Sequence, residues 1–201
     1  MFAKSPTILK LLFPSLIWEV KTDKKEVFLT FDDGPHPDIT PWVLDCLNEY
    51  NAKATFFCVG ENVCKYPEVY DQILKNGHGV GNHTHNHLMG WKTNDDKYFQ
   101  NVAMAEEYIS SKLFRPPYGR ISSSQIRKLK KDYSLIMWTV LTYDFDKSIS
   151  KEKCYSNSIS SSKNGSIVVF HDSIKASINL KYALPKFLEY FSNQGYTFQK
   201  L

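Results

Sequence analysis

Thr30-Phe31-Asp32-Asp33-Gly34-Pro35 is the stretch on which the reading of this chain turns. It closes the apolar run 26–31, whose β-branched and aromatic residues suit a buried strand. Two adjacent carboxylates follow where that strand should stop, and Gly34-Pro35 imposes a turn at once. Successive side chains on a strand point to opposite faces. A turn relaxes that rule and can aim both carboxylates into one site. Two like charges this close repel unless something positive sits beside them. A divalent metal is the simplest such partner, with one Asp as ligand and the other free as a base. The competing reading is a plain polar turn after a strand.

Working outward, strands and helices alternate. A helix is expected from Thr40, a good N-cap residue followed by Pro41 at the first helical position. Its stripe is Ile39, Trp42, Val43, Cys46, Leu47 and Tyr50. A second buried strand is read over 54–59 and a helix over 67–76, ended by Gly77. A short glycine-rich strand is read over 78–81. The segment 82–91 has no regular pattern and is dense in histidine. Thr93 and Asp96 stand at capping-box spacing for a helix over 93–111. A brief strand at 113–114 leads into Arg115-Pro116-Pro117-Tyr118-Gly119. Then come a helix over 122–131, one strand over 133–140, a helix over 151–162 and a strand over 166–170. A helix over 180–191, with Pro185 disturbing its early turns, and a strand over 196–198 complete the chain. The alternation implies a parallel sheet with crossover helices. The expected fold class is α/β, a distorted TIM-like (β/α) barrel of about seven parallel strands.

The 201 residues suffice for one domain with a full core, and composition is ordinary for a globular protein. A formal net charge of +4 is too small to imply a nucleic-acid partner. The one dense basic stretch, 127–131, reads as the solvated face of a helix. Cys46, Cys58, Cys64 and Cys154 show no CxxC pair, zinc-knuckle spacing or disulfide framework, so reduced thiols in a cytoplasmic protein are the default. Export or membrane association is the alternative. No run is long enough for a transmembrane span. The apolar stretch 8–18 is interrupted by Lys10 and Pro14 and lacks a positive n-region and a small-x-small cleavage site. Residues 1–23 are therefore expected to be an N-terminal arm packed on a domain of residues 24–201. The sequence fixes no oligomeric state.

Polar residues recur just after predicted strands: Asp32-Asp33, His83 with His87, Arg115, Asp144 and His171. In parallel barrels that end of the sheet carries the active site. His83 and His87 are four apart; on one helical turn their imidazoles would share a face and could bind one metal, while His85 points elsewhere. With one Asp they make a His/His/carboxylate set with open positions. Such a set suits catalytic zinc and equally the facial triad of non-haem iron enzymes, so ligand type alone does not settle the metal. Each residue also has a plainer reading. Arg115 could be a surface arginine before a Pro-Pro turn, Asp144 a cap with Asp146 as the alternative partner, and His171-Asp172 a strand-end polar pair. Trp91 could stack on a sugar ring or pack in the core.

The chain resembles the polysaccharide deacetylases of carbohydrate esterase family 4, the NodB-like domain. The resemblance rests on Thr30–Pro35 (TFDDGP), His83–His87 (HTHNH), Arg115–Gly119 (RPPYG), Tyr143–Phe145 (YDF) and Val169–Asp172 (VFHD), which occur in the family's order. It implies a hydrolase that removes N-acetyl groups from an N-acetylated sugar or polysaccharide, so a carbohydrate is the expected partner. An O-acetyl esterase or other amidase, or a silent carbohydrate-binding module, is the alternative. It further implies that Asp33, His83 and His87 hold a metal, usually Zn2+ although another divalent transition metal is compatible. Asp32 would be the general base, oriented by Arg115. The N–H of Tyr118 would help hold the oxyanion. His171 would be the general acid, its pKa raised by Asp144. The chain departs from the family pattern at Leu141 and Phe145, where an Asp and a Trp are usual, and at Val169, where a Leu is usual. The Trp and Leu of the family line the pocket for the acetyl methyl, so the resemblance implies that Phe145 and Val169 wall it here.

Overall fold

The computed structural model describes residues 3–201. Strands β1 (Glu26–Asp32), β2 (Ala54–Cys58), β3 (Gly79–Asn82), β4 (Leu113–Phe114), β5 (Ser134–Leu135), β6 (Val140–Leu141) and β7 (Ile167–His171) are parallel, in the spatial order β5-β4-β3-β2-β1-β7-β6. A last strand, β8 (Thr197–Phe198), pairs with the start of β1. Helices α1 (Thr7–Leu12), α2 (Ile39–Glu49), α3 (Gly60–Lys65), α4 (Pro67–Lys75), α5 (Asp95–Glu106), α6 (Ser123–Leu129), α7 (Lys151–Ser160) and α8 (Ser177–Ser192) lie between and around them. This is the expected distorted α/β barrel.

The apolar run of β1 is buried on both faces, as a strand in a helix-covered parallel sheet should be. Its two-residue period sorts the core. Leu29 and Phe31 face the helices together with Phe56, Val168 and Phe170. Phe31 stacks between its register partners Phe56 and Phe170, with ring centroids 5.0 and 6.1 Å away. Phe28 faces the other way, into a small cluster with Phe57, Ile136 and Ile167 inside the barrel. Thr30 and Asp32 share the face of Phe28 by the same period. Asp32 thus arrives at the end of β1 on the interior side, with His171 of β7 as its register partner.

Several local expectations are corrected. Helix α2 begins at Ile39, so Thr40 is not its cap; the Thr40 hydroxyl instead donates to Asp172 at 2.5 Å and accepts from the N–H of His36. The α5 cap is Asn94, whose side chain accepts from the N–H of Lys97, while the Thr93 hydroxyl turns back to the Met89 carbonyl. Ser122, by contrast, makes a full capping box with Gln125. Helix α3 was not anticipated, and α8 runs unbroken through Pro185.

The single strand expected over 133–140 is two short ones, and the reason is topological. β5 pairs with β4 at one edge of the sheet, and β6 pairs with β7 at the other. One continuous segment therefore touches both edges and closes the barrel. Its middle, 136–139, is bridged by the N-terminal arm. The Met137 N–H donates to the Ile17 carbonyl, the Ile17 N–H to the Leu135 carbonyl, and the Ser5 N–H to the Thr139 carbonyl. Leu16 and Trp18 are buried beside it. Among the described residues no helix is long and apolar enough to cross a membrane. The basic side chains Arg127, Lys128, Lys130 and Lys131 are exposed.

Candidate active site

The residues singled out from the sequence converge at the C-terminal ends of five strands. Asp32 ends β1 and Asp33 follows it. His83 follows β3, Arg115 follows β4, Asp144 lies beyond β6, and His171 ends β7. The chain leaves these strand ends in unusual conformations. Of the six non-glycine residues with positive φ among the described residues, Asp33, Thr84, His87, Tyr118 and Tyr143 belong to these loops, and Asn51 lies elsewhere. Backbone held in sparsely populated regions clusters at functional sites because the surrounding contacts over-determine it.

The histidine segment is not a helical turn. Thr84 and His87 have φ of 64° and 54°, so the two imidazoles meet by loop geometry rather than by helical spacing. Side-chain amides impose that geometry. The Asn82 Oδ1 accepts the Thr84 N–H, and the Asn101 Oδ1 accepts the N–H groups of both His85 and Asn86. Asn101 sits on α5 and carries no local sequence signal for this role. The Thr84 hydroxyl accepts the Leu88 N–H and closes the loop.

Asp33, His83 and His87 offer one ligand atom each, all within 4.8 Å of one another. The Asp33 Oδ1 lies 3.1 Å from His87 Nε2 and 3.8 Å from His83 Nε2. The set fits a metal on its chemistry. His83 Nδ1 lies 2.7 Å from the Arg115 carbonyl, which fixes the proton on Nδ1 and leaves the Nε2 lone pair for a cation. Burial pushes the His83 pKa down to about 4, so the ring is neutral, as a ligand must be. Burial opposes ionisation of Asp33, yet the His87 hydrogen bond and the nearby histidine charges hold its carboxyl below the usual range. His85 is not in the set; its ring lies 5.8 Å from Tyr108.

Asp32 is buried, and its Oδ1 accepts from Arg115 Nη1 at 2.6 Å. Arg115 is fully buried, not a surface arginine. Nη1 also reaches the Thr30 hydroxyl at 2.7 Å, Nη2 the Met137 carbonyl and Nε the Ile136 carbonyl. Its guanidinium stacks 4.1 Å from the Phe57 ring. Burial lowers the Arg115 pKa and the Asp32 charge opposes that shift. Asp144 meets His171 twice: Oδ1 lies 2.8 Å from Nδ1, and Oδ2 accepts the His171 N–H at 2.7 Å. Burial alone would lower the pKa of His171, but the charge and hydrogen bond of Asp144 outweigh it, and Asp33 and Asp32 add to them. The pKa rises to about 9. Asp146 instead accepts from the N–H and hydroxyl of Ser148.

Tyr118 lies in the turn Pro117–Gly119, its ring exposed and 4.6 Å from that of His87. Among the described residues its main-chain N–H has no acceptor. Phe145 presents its ring to that of His171 at 4.9 Å, and Val169 pairs with Leu141 on β6. Asp172 was not among the expected site residues. Its Oδ1 accepts the Gly34 N–H at 3.1 Å, and a Cβ on Gly34 would fall 2.0 Å from its Oδ2. Only glycine fits that turn, and Asp172 pins it. Asn62 donates to the Asp33 carbonyl at 2.7 Å.

Three comparisons bear on this arrangement. A family model described as "Polysaccharide deacetylase" matches residues 19–135. A peptidoglycan-N-acetylglucosamine deacetylase of Bacillus cereus is 35% identical over 188 residues, covering 90% of this chain and 88% of the relative. A crystal structure of a peptidoglycan N-acetylglucosamine deacetylase in complex with 4-naphthalen-1-yl-N-oxidanyl-benzamide superposes with a TM-score of 0.89 at 32% identity, covering 98% of this chain and 95% of that one. A CE4 family pseudoenzyme from Bacillus anthracis superposes with a TM-score of 0.79 at 26% identity, covering 94% and 68%.

Proposed function

The chain belongs to the polysaccharide deacetylase family, and from that premise we propose that it is a metal-dependent hydrolase that removes the acetyl group from an N-acetylglucosamine residue of a peptidoglycan-type glycan. The observation that carries the reading is the pairing of Asp32 with Arg115 and of His171 with Asp144 around the Asp33/His83/His87 set. A site that only bound sugar would need neither a poised base nor a poised acid.

Asp33, His83 and His87 would hold the ion, and zinc is the native metal we propose. A divalent cation there supplies Lewis-acid polarisation and makes water a better nucleophile near neutral pH. The remaining steps belong to the chain. Arg115 occupies Oδ1 of Asp32, which orients the carboxylate and leaves Oδ2 to take a proton from the attacking water. The water oxygen bonds to the acetyl carbonyl carbon. The unpaired N–H of Tyr118 stabilises the negative charge that develops on the carbonyl oxygen. His171, with Nδ1 held by Asp144, gives its Nε2 proton to the departing nitrogen as the C–N bond breaks. Acetate and a free amine result. Phe145 supplies an apolar wall beside His171 where relatives of the motif carry Trp.

The test is a paired assay of the zinc-loaded protein on N-acetylglucosamine oligomers, peptidoglycan and O-acetylated xylan oligomers. The expected result is free amine and acetate in equal amounts from the N-acetylated substrates. Acetate without amine, from the O-acetyl substrates alone, would replace the deacetylase reading with an esterase. No product from any substrate, with metal bound, would place the chain with silent members of the fold.

A further inference from the structure

We propose that Trp91 and Arg120 form a second sugar-binding platform that grips the glycan beside the deacetylation site. The inference rests on the deacetylase reading for its substrate class.

Trp91 is not a core residue: 60% of its surface is exposed. Exposure of one large apolar side chain needs no explanation by itself. What distinguishes Trp91 is that the ring is exposed and also held. Its indole Nε1–H donates to the Ile121 carbonyl at 2.8 Å, and the Arg120 guanidinium covers the ring at 4.4 Å. With the N–H edge engaged by Ile121 and the guanidinium on one face, a sugar would stack on the other face of this 60% exposed ring.

The base beneath the ring is rigid. The Gly90 N–H donates to the Arg120 carbonyl, and Gln125 donates to the Gly90 carbonyl. A Cβ on Gly90 would fall 2.5 Å from Gln125 Oε1 and 2.6 Å from the Arg120 carbonyl oxygen, so the two loops are in direct contact there. The Thr93 hydroxyl ties back to the Met89 carbonyl. A ring fixed in this way loses little freedom on binding, which is where preorganisation improves affinity.

The platform is continuous with the site. Trp91 is four residues from His87, a span of at most about 14 Å. Arg120 is two residues from Tyr118, whose own exposed ring touches that of His87. The same two loops that carry a metal ligand and the Tyr118 N–H therefore carry the aromatic face. A pyranose ring is the matching ligand. It presents C–H groups on its faces, which pack on an indole, and hydroxyls at its rim. The Arg120 guanidinium, on the other face of the ring, makes no hydrogen bond or ion pair to another described residue and backs the platform through its cation–π contact. The site thus reads a glycan chain rather than a lone amino sugar.

Chain-length kinetics on N-acetylglucosamine dimer and hexamer test this, with Trp91→Ala, Trp91→Tyr and Arg120→Ala beside the wild type. The wild type should favour the hexamer. Trp91→Ala should lose about three- to tenfold in kcat/KM on the hexamer, as expected for one stacking contact, with the loss carried by KM and growing with chain length. Trp91→Tyr should restore most of it. Affinity electrophoresis in a soluble N-acetylated glycan, with chelator present to stop turnover, measures the same contact without chemistry. Trp91-dependent retardation with no deacetylation of any oligomer would sink the deacetylase reading and leave the platform standing. Equal losses on dimer and hexamer, or retardation indifferent to Trp91→Ala, would overturn the platform.

Discussion

The main-chain carbonyl of Arg115 accepts a hydrogen bond from the Nδ1–H of His83 at 2.7 Å, while the guanidinium of the same residue holds Asp32 at 2.6 Å. One residue thus orients a candidate metal ligand with its backbone and the candidate base with its side chain.

Removing this residue should damage stability and activity together. Arg115→Leu leaves Asp32 buried without its cation, and breaking a buried ion pair costs about 3–5 kcal/mol. Arg115→Lys should recover little, because one ammonium cannot reach Asp32 and the carbonyls of Ile136 and Met137 at once. Urea denaturation with an activity assay checks both. Wild-type stability in Arg115→Lys would show that the fork geometry is irrelevant.

The metal set predicts a contrast within one loop. His83→Ala and His87→Ala should lose bound metal after zinc loading, and His85→Ala should retain it, as read by elemental analysis of dialysed protein. Chelator should abolish wild-type activity and added zinc restore it. Equal metal content in all three variants would discard the assignment.

Asp32→Asn should keep the metal yet lose about two to four orders of magnitude in kcat, the size of a general acid–base contribution. Near-wild-type turnover on a confirmed substrate would move the role of base to another group.

The Asp144–His171 pair sets a pH signature. The folded pKa of His171 is raised to about 9 from the ordinary 6.5. The stability this pairing contributes is therefore fully present below about pH 6.5 and is lost as pH rises through about 9. Activity that needs the protonated ring should fall over the same upper limb. In Asp144→Asn both the limb and the stability loss should shift to lower pH. Asp146→Asn should leave them in place, since Asp146 is engaged by Ser148. The opposite pattern would assign the partner to Asp146.

Much of this was legible in the sequence because the signals are local. The apolar run of β1, the turn at Gly34-Pro35 and the polar residues after each strand can be read from neighbours in the chain. The misread parts depend on distant partners. Thr40 is a good cap by type, but Asp172, distant in sequence and just past the neighbouring strand β7, recruits its hydroxyl. The spacing of His83 and His87 fits a helix, but Asn82 and Asn101 bend the loop through positive φ instead. The segment 133–140 has the composition of one strand, and no periodicity could reveal that its ends serve opposite edges of the sheet. Trp91 could by type pack in the core or stack on a sugar, and only its exposure removes it from the core.

That closing segment also sets where the molecule opens first. β5 and β6 contribute two residues each; between them the N–H groups of Ile136 and Thr139 donate to β4 and β7, and that of Met137 to the N-terminal arm. Segments tied by short strands and a terminal arm open at lower free energy than the whole fold. The amides of Met137 and Leu141, which bond to Ile17 and Ala3, should exchange with solvent hydrogen sooner than those of β1 and β7. Each such opening withdraws the carbonyls of Ile136 and Met137 from Arg115 and with them the support of Asp32. The lifetime of the seam is thus a clock on the readiness of the proposed base, and slower exchange at Met137 should accompany longer-lived activity on storage.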